Sequence, residues 1–75
     1  TVEVMLVDHP GQLGKIGTVL GAYNVNIEHV ELSEKTDQRV TMSLAVRLPA
    51  RVTREDVLVA LGDLEGVEQV RWKEG

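Results

Sequence analysis

The stretch from Val7 to Ile27 constrains the fold of this chain more than any other part of the sequence. A strand of alternating residues, rich in β-branched side chains, runs into the four residues D-H-P-G at positions 8–11. Pro10 fixes its own φ and disfavours the helical conformation for His9, so the strand must end here. Because proline suits the first helical position and Gly11 allows close backbone approach, we predict that a helix begins at this turn.

Hydrophobic periodicity divides the chain into alternating strands and helices. We predict strands at Val2–Val7, Val25–Glu34, Arg39–Leu48 and Val67–Lys73, and helices at Gln12–Tyr23 and from Thr53 to a stop at Gly66. The short polar turn Lys35–Gln38 makes the second and third strands an antiparallel hairpin. The order βαββαβ predicts an α+β ferredoxin-like sandwich, a four-stranded antiparallel sheet with two helices on one face.

The predicted core is the apolar side of each element. Its residues are Val2, Val4 and Leu6; Leu13, Ile16, Val19, Leu20 and Tyr23; Val40, Met42, Leu44, Val46 and Leu48; Val57, Ala60, Leu61 and Leu64; and Val70 and Trp72. Thr53 and Asp56 have the spacing of a capping box at the start of the second helix. Asn24 is expected to end the first helix, because asparagine tolerates the left-handed conformation found there.

Three glycines, Gly14, Gly17 and Gly21, form a stripe along the first helix. An interior glycine destabilises a helix by roughly 1 kcal/mol relative to alanine, so the stripe needs a reason. Close packing against the sheet or a neighbouring helix is the first explanation. A flank that admits another subunit or a ligand is the alternative. The spacing G-x-x-G-x-x-G is not that of a dinucleotide-binding fingerprint.

Composition argues against several classes of function. The chain has 75 residues, a net charge of −4, one Trp, one Tyr, no Phe and no cysteine. It therefore lacks the positive charge and the aromatic platform expected of a nucleic-acid-binding domain, and it has no thiolate. His9 and His29 lie far apart, without a nucleophile motif or clustered metal ligands beside them. We predict no catalytic residue, no metal and no cofactor, and hence no enzyme.

The turn after the first strand has the chemistry to bind a small zwitterion. Free N–H groups at the start of the first helix can donate to an anion, while the Asp8 carboxylate can accept from a cation. We place Asn26 within reach of the same turn. The two charged ends of a free amino acid fit this arrangement. Alternatively, Asp8 only caps the helix by accepting from the N–H of Gln12.

The runs D-H-P-G-Q-L-G-K-I-G-T-V-L, N-V-N-I and L-E-G-V-E-Q-V together resemble the ACT domain, a small regulatory family that senses amino acids. The matching positions are Asp8, Pro10, Gly11, Leu13, Val25, Asn26 and Ile27. The resemblance implies domains that pair, often side by side into one continuous sheet, with an amino acid bound at their interface. The resemblance implies that Asp8 binds the ligand ammonium and that the backbone N–H groups of Gly11 and Gln12, Leu13 and the Asn26 side chain line the site. We add the neighbouring residues His9, Pro10 and Ile27 as candidate ligand-binding residues.

One residue departs from part of the family. Serine-sensing members carry a histidine two residues before the position of Asp8, where this chain has Leu6. We therefore do not expect a serine site of that type.

The resemblance also implies a fused parent protein. Regulatory tails of amino-acid biosynthetic or degradative enzymes are the common setting, but the C-terminal L-G-D-L-E-G-V-E-Q-V-R-W is also similar to the cytosolic domain of an MgtC-type membrane protein. We expect residues 1–75 to form one ACT-like domain excised from, or C-terminal in, a longer cytoplasmic or membrane-anchored protein. It is either an amino-acid-binding domain that forms a homodimer and controls its parent, or a dimerisation module without a ligand.

Overall fold

Alternating strands and helices form a two-layer fold in residues 1–73, the part of the chain that the computed structural model describes. The elements are β1 (Val2–Val7), α1 (Gln12–Ala22), β2 (Asn26–Lys35), β3 (Arg39–Arg47), α2 (Arg54–Gly62) and β4 (Val67–Trp72). The strands form one antiparallel sheet in the order β2-β3-β1-β4. The predicted ferredoxin-like βαββαβ fold is confirmed, with element ends shifted by a few residues.

The register of the sheet fixes which residues lie at each end. Val4, in the middle of β1, lies opposite Met42 of β3 and Val70 of β4. The predicted hairpin of β2 and β3 is present, with Lys35 opposite Val40 near its turn. β2 and β4 are the two edges of the sheet.

The hydrophobic core lies between the sheet and the helices. Its buried residues are Val2, Val4, Leu6, Ile16, Leu20, Val25, Val40, Met42, Leu44, Val57 and Leu61. The predicted apolar faces of β1 and β3 are confirmed, and Val70 and Trp72 of β4 are partly buried against the same core.

The predicted buried face of α1 is partly wrong. Leu13 is 47% exposed and Tyr23 is 42% exposed, whereas Gln12 is only 5% exposed. Gln12, Ile16 and Leu20 follow one another at intervals of four residues and form the buried line of the helix. Leu13 lies about a quarter turn away from this line, and Tyr23 follows the last helical residue.

The ends of the helices follow local chemistry. Asn24, after α1, has a φ of 60°, as predicted for a residue that ends a helix. α2 begins with the predicted capping box of Thr53 and Asp56. It ends at Gly62, earlier than expected, so that Leu64 lies in the connection leading to Gly66, whose φ is 91°.

The glycine stripe of α1 is not closely packed within the chain. A Cβ atom added to Gly14, Gly17 or Gly21 would meet nothing within 4 Å in the described part of the chain. The explanation that these glycines admit the sheet or α2 is therefore wrong for a single copy. The alternative, a flank open to another molecule, stays a prediction.

Candidate functional site

The turn of residues 8–11 connects β1 to α1 and is held from both sides. The N–H of Val7 donates to the carbonyl of Gly66 at 2.8 Å, and the N–H of Asp8 donates to the carbonyl of Gln38 at 2.9 Å. Gly11 adopts a φ of 83° at the N-cap of α1. The helix begins at Gln12, as predicted, and the left-handed Gly11 separates Pro10 from it.

Gln12 acts as a structural residue at this turn. Its side-chain amide donates to the carbonyls of Val7 at 3.5 Å and Glu65 at 3.2 Å, across to the loop before β4. Its backbone N–H donates to the carbonyl of His9 at 3.3 Å, so this predicted ligand donor already has a partner. The spacing of Gln12, Ile16 and Leu20 was the sequence signal that could have revealed its burial.

Asp8 does not cap α1. Over residues 1–73, no side chain accepts a hydrogen bond at the start of this helix, so the alternative that Asp8 accepts from the N–H of Gln12 is wrong. The Asp8 carboxylate instead faces Lys35, with 3.7 Å between Oδ2 and Nζ. Both side chains are exposed to solvent. Lys35 ends β2, whereas the sequence placed it in the following turn.

Asn26 lies at the other end of the sheet from Asp8. β1 and β2 both pair antiparallel with β3, so they run in the same direction. Val7 lies opposite Arg39, whereas Asn26 lies opposite Arg47, eight residues further along β3. At the usual rise of a strand this is a separation of roughly 25 Å. The prediction that Asn26 lies within reach of the turn is therefore wrong for a single copy of the chain.

The remaining predicted site residues also lie at one or the other of these two ends of the sheet. His9, Pro10, Gly11 and Leu13 are exposed beside Asp8. Ile27 follows Asn26 and is partly buried against the core. An open groove of about 480 Å³ adjoins the turn at Gly11 and runs along α1 between Lys15 and Leu64.

The edge strand β2 carries exposed apolar side chains on the same face as the core. Val30 lies opposite Leu44 and Leu32 lies opposite Met42, and opposed residues share a face of the sheet. Leu44 and Met42 are buried, whereas Val30 is 37% exposed and Leu32 is 57% exposed. We call Val30 and Leu32 the β2-edge surface. The helices cover it only in part.

Several titratable side chains of the described residues form exposed ion pairs. His29 lies 3.9 Å from Glu31, and both are exposed. Within residues 1–73, no three histidine or acidic side chains are arranged to hold a metal ion. In the same part of the chain, no helix has the length and apolarity needed to cross a membrane.

One protein family matches this chain over most of its length. The ACT domain profile matches residues 1–70. D-3-phosphoglycerate dehydrogenase of Mycobacterium leprae (strain TN) is 59% identical over 34 residues, which are 45% of this chain and 6% of that protein. The same enzyme of Mycobacterium tuberculosis (strain ATCC 25618 / H37Rv) is 58% identical over 31 residues, 41% of this chain and 6% of that protein.

Several solved structures share the fold. The ACT domain from GTP pyrophosphokinase of Chlorobium tepidum superposes with a TM-score of 0.73 at 20% identity, covering 93% of this chain and 90% of that one. The C-terminal domain of the MgtC protein from Mycobacterium tuberculosis gives a TM-score of 0.74 at 15% identity, covering 99% of this chain and 83% of that one. With the family match over residues 1–70, these findings show that the chain belongs to the ACT domain family, a family of regulatory domains.

Proposed function

We propose that this domain pairs with a second copy through the β2 edge and binds a free amino acid where the two copies meet. The main support for this proposal is the distance between the candidate ligand-binding residues within one copy. Asp8 lies at one end of the sheet and Asn26 at the other. A second copy offers the missing half of the site.

Antiparallel pairing of two β2 strands joins the separated residues. An isologous dimer relates its copies by a two-fold axis, which reverses the direction of the partner strand. If the strands overlap over most of their length, Asn26 of the second copy lies beside the Glu34–Lys35 end of the first. Lys35 in turn contacts Asp8.

The β2-edge surface supports the same arrangement. An edge strand presents unpaired N–H and carbonyl groups, which a second strand can satisfy. Val30 and Leu32 expose apolar area beside this edge, and removing such area from water favours association. Pairing through β2 satisfies the backbone and covers these side chains together.

In the proposed complex, Asp8 binds the ligand ammonium, and Asn26 of the second copy offers an amide that can bond to the same ligand. The backbone N–H of Gly11 adds a donor. His9, Pro10 and Leu13 of the first copy border the site, together with Ile27 of the second copy. A ligand that binds only the paired form shifts the population towards it, and this changes the geometry of whatever is fused to the domain.

The parent protein that we favour is a metabolic enzyme. The dehydrogenases that share 58–59% identity with part of this chain are much longer proteins, of which the matching stretch is 6%. We accordingly propose that the domain regulates a fused cytoplasmic enzyme and is not itself catalytic. Leu6, at the position of the histidine in serine-sensing members, favours an effector other than serine.

A thermal-shift and amide NMR titration with the standard amino acids, using Mg²⁺ and Zn²⁺ as controls, tests the proposal. We expect one amino acid to raise the melting temperature and to shift signals from residues 8–13 and Asn26. Asp8→Ala should abolish this response. Asp63→Ala, which removes an exposed carboxylate after α2, should retain it. No response to any amino acid would contradict the proposal.

A ligand-free dimerisation module is the second candidate. Asp8 already faces Lys35, and the N–H of Gln12 already donates to His9. In this case the domain could serve as the cytosolic part of an MgtC-type membrane protein. It would dimerise in sedimentation experiments without any amino acid, and Asp8→Ala would leave the dimer unchanged.

A further inference from the structure

The pairing of Asp8 with Lys35 brings two opposite charges together at the ligand turn. Their carboxylate and ammonium groups are 3.7 Å apart, and both remain open to solvent. The backbone on each side is fixed by the same hairpin end. Asp8 donates its N–H to the carbonyl of Gln38, and Thr36, which follows Lys35, donates to the carbonyl of Arg39 at 2.9 Å. The two side chains therefore start from defined positions.

A ligand carboxylate needs a binding partner at this turn. The sequence suggested the N–H groups of Gly11 and Gln12, but that of Gln12 donates to the carbonyl of His9, and the N–H of Gly11 carries no full charge. Arg39, another cation at this end of the sheet, forms an ion pair with Glu68 at 2.8 Å. Lys35 is the cation that lies beside Asp8, with more than half of its side chain exposed.

We propose that Lys35 binds the carboxylate of the same amino acid whose ammonium binds Asp8. An α-amino acid carries both groups on one carbon atom, so that they are close enough to meet two protein charges a few ångströms apart. This inference rests on the amino-acid binding proposed above. Lys35 would then make the site selective for amino acids over amines that lack a carboxylate.

The selectivity follows from simple electrostatics. An amine without a carboxylate brings its positive charge to Asp8 while the ammonium of Lys35 stays nearby, and like charges repel. A zwitterion places its carboxylate against Lys35 and removes this penalty. Charge-assisted hydrogen bonds are also stronger than neutral ones, so an α-amide gains less from Lys35 than the acid does.

The test compares acids with amides in three proteins. Wild type, Lys35→Met and Lys73→Met are titrated with the standard L-amino acids and with their α-amides, and binding is followed by NMR. Lys73 is the control, because its Nζ lies 3.9 Å from a carboxylate oxygen of Glu3 and its side chain is 61% exposed, close to the 63% of Lys35. Wild type should bind the preferred acid at least about tenfold more tightly than its amide.

Lys35→Met should lose most of this preference, chiefly by weaker binding of the acid, and Lys35→Arg should restore it. Lys73→Met should behave as wild type does. If wild type binds amino acids and Lys35→Met keeps the preference, the role of Lys35 is overturned and the proposed function stands. Tighter binding of both acid and amide by Lys35→Met would overturn it too, since Lys35 would then compete for Asp8. If wild type binds no amino acid, the proposed function and this inference both fail.

Discussion

The two helices of the fold follow strands in the same way, but they begin differently. At α2, the Thr53 hydroxyl accepts from the N–H of Asp56 at 3.1 Å, and the Asp56 carboxylate accepts from the N–H of Thr53 at 3.0 Å. At α1, Gly11 occupies the N-cap, and no side chain of residues 1–73 accepts a bond there. The first turn of α2 contains Glu55 and Asp56, whereas that of α1 has no acid.

The capped start of α2 therefore serves stability, whereas the uncapped start of α1 can serve binding. Carboxylates near a helix N-terminus satisfy its donors and interact favourably with its dipole. α2 supplies these groups from its own sequence. α1 is held instead by tertiary contacts, chiefly the Gln12 amide to the carbonyl of Glu65, and leaves its first turn without such a group.

The largest expected effect tests whether tertiary contacts hold the start of α1. Gly66 has a φ of 91°, and a Cβ atom there would collide with the side-chain amide nitrogen of Gln12. Gly66→Ala should therefore destabilise the domain by about 2 kcal/mol in urea unfolding. Gly11→Ala is the control, because its φ of 83° gives similar backbone strain while no atom of residues 1–73 beyond its chain neighbours lies within 4 Å of its added Cβ. Equal unfolding midpoints for the two variants would contradict this account.

A smaller effect compares the two helix starts directly. Thr53→Ala removes the capping hydroxyl of α2 and should cost about 1 kcal/mol of unfolding free energy. Asp8→Ala removes only an exposed ion pair and should change stability by less than about 0.5 kcal/mol. Chemical denaturation of both variants makes the comparison. If Asp8→Ala lost as much stability as Thr53→Ala, α1 would be capped after all.

The smallest effect concerns the glycines of α1. Gly14 and Gly21 are exposed, and a Cβ atom added to either would have no atom of residues 1–73 within 4 Å beyond its own helix backbone and chain neighbours. Alanine at either position should stabilise the unpaired chain by roughly 0.5–1 kcal/mol, measured at low protein concentration. If this flank receives a second copy, the same substitutions should weaken pairing in sedimentation experiments. A loss of stability at low concentration would contradict the open flank.

Most of the fold could be predicted from the sequence, because the patterns that indicate its strands and helix ends are local. Alternation in β1 and β3, the capping box at Thr53 and the left-handed Asn24 each depend on a few neighbouring residues. The buried face of α1 was harder to predict. A polar Gln12 lies on its buried line and the apolar Leu13 does not, because the carbonyl of Glu65, in the loop before β4, accepts a hydrogen bond from the Gln12 amide.

The candidate site was harder to predict, because its residues are brought together or kept apart by the register of the sheet. Asn26 looked close to the turn because only a helix separates them in the sequence, but strand direction places them at opposite ends of the sheet. Lys35 gave no signal, because its contact with Asp8 depends on where the hairpin turn meets the end of β1. Both facts come from sheet register, which short motifs do not encode.

Mixing two inactive variants tests the shared site most directly. Asp8→Ala and Asn26→Ala should each abolish amino-acid binding, because every site in either homodimer lacks one of its two residues. In an equal mixture that has exchanged subunits, each heterodimer has one intact site, so binding should return to about a quarter of the wild-type capacity in calorimetry. No recovery after exchange, or full binding by Asn26→Ala alone, would contradict a site formed by two copies.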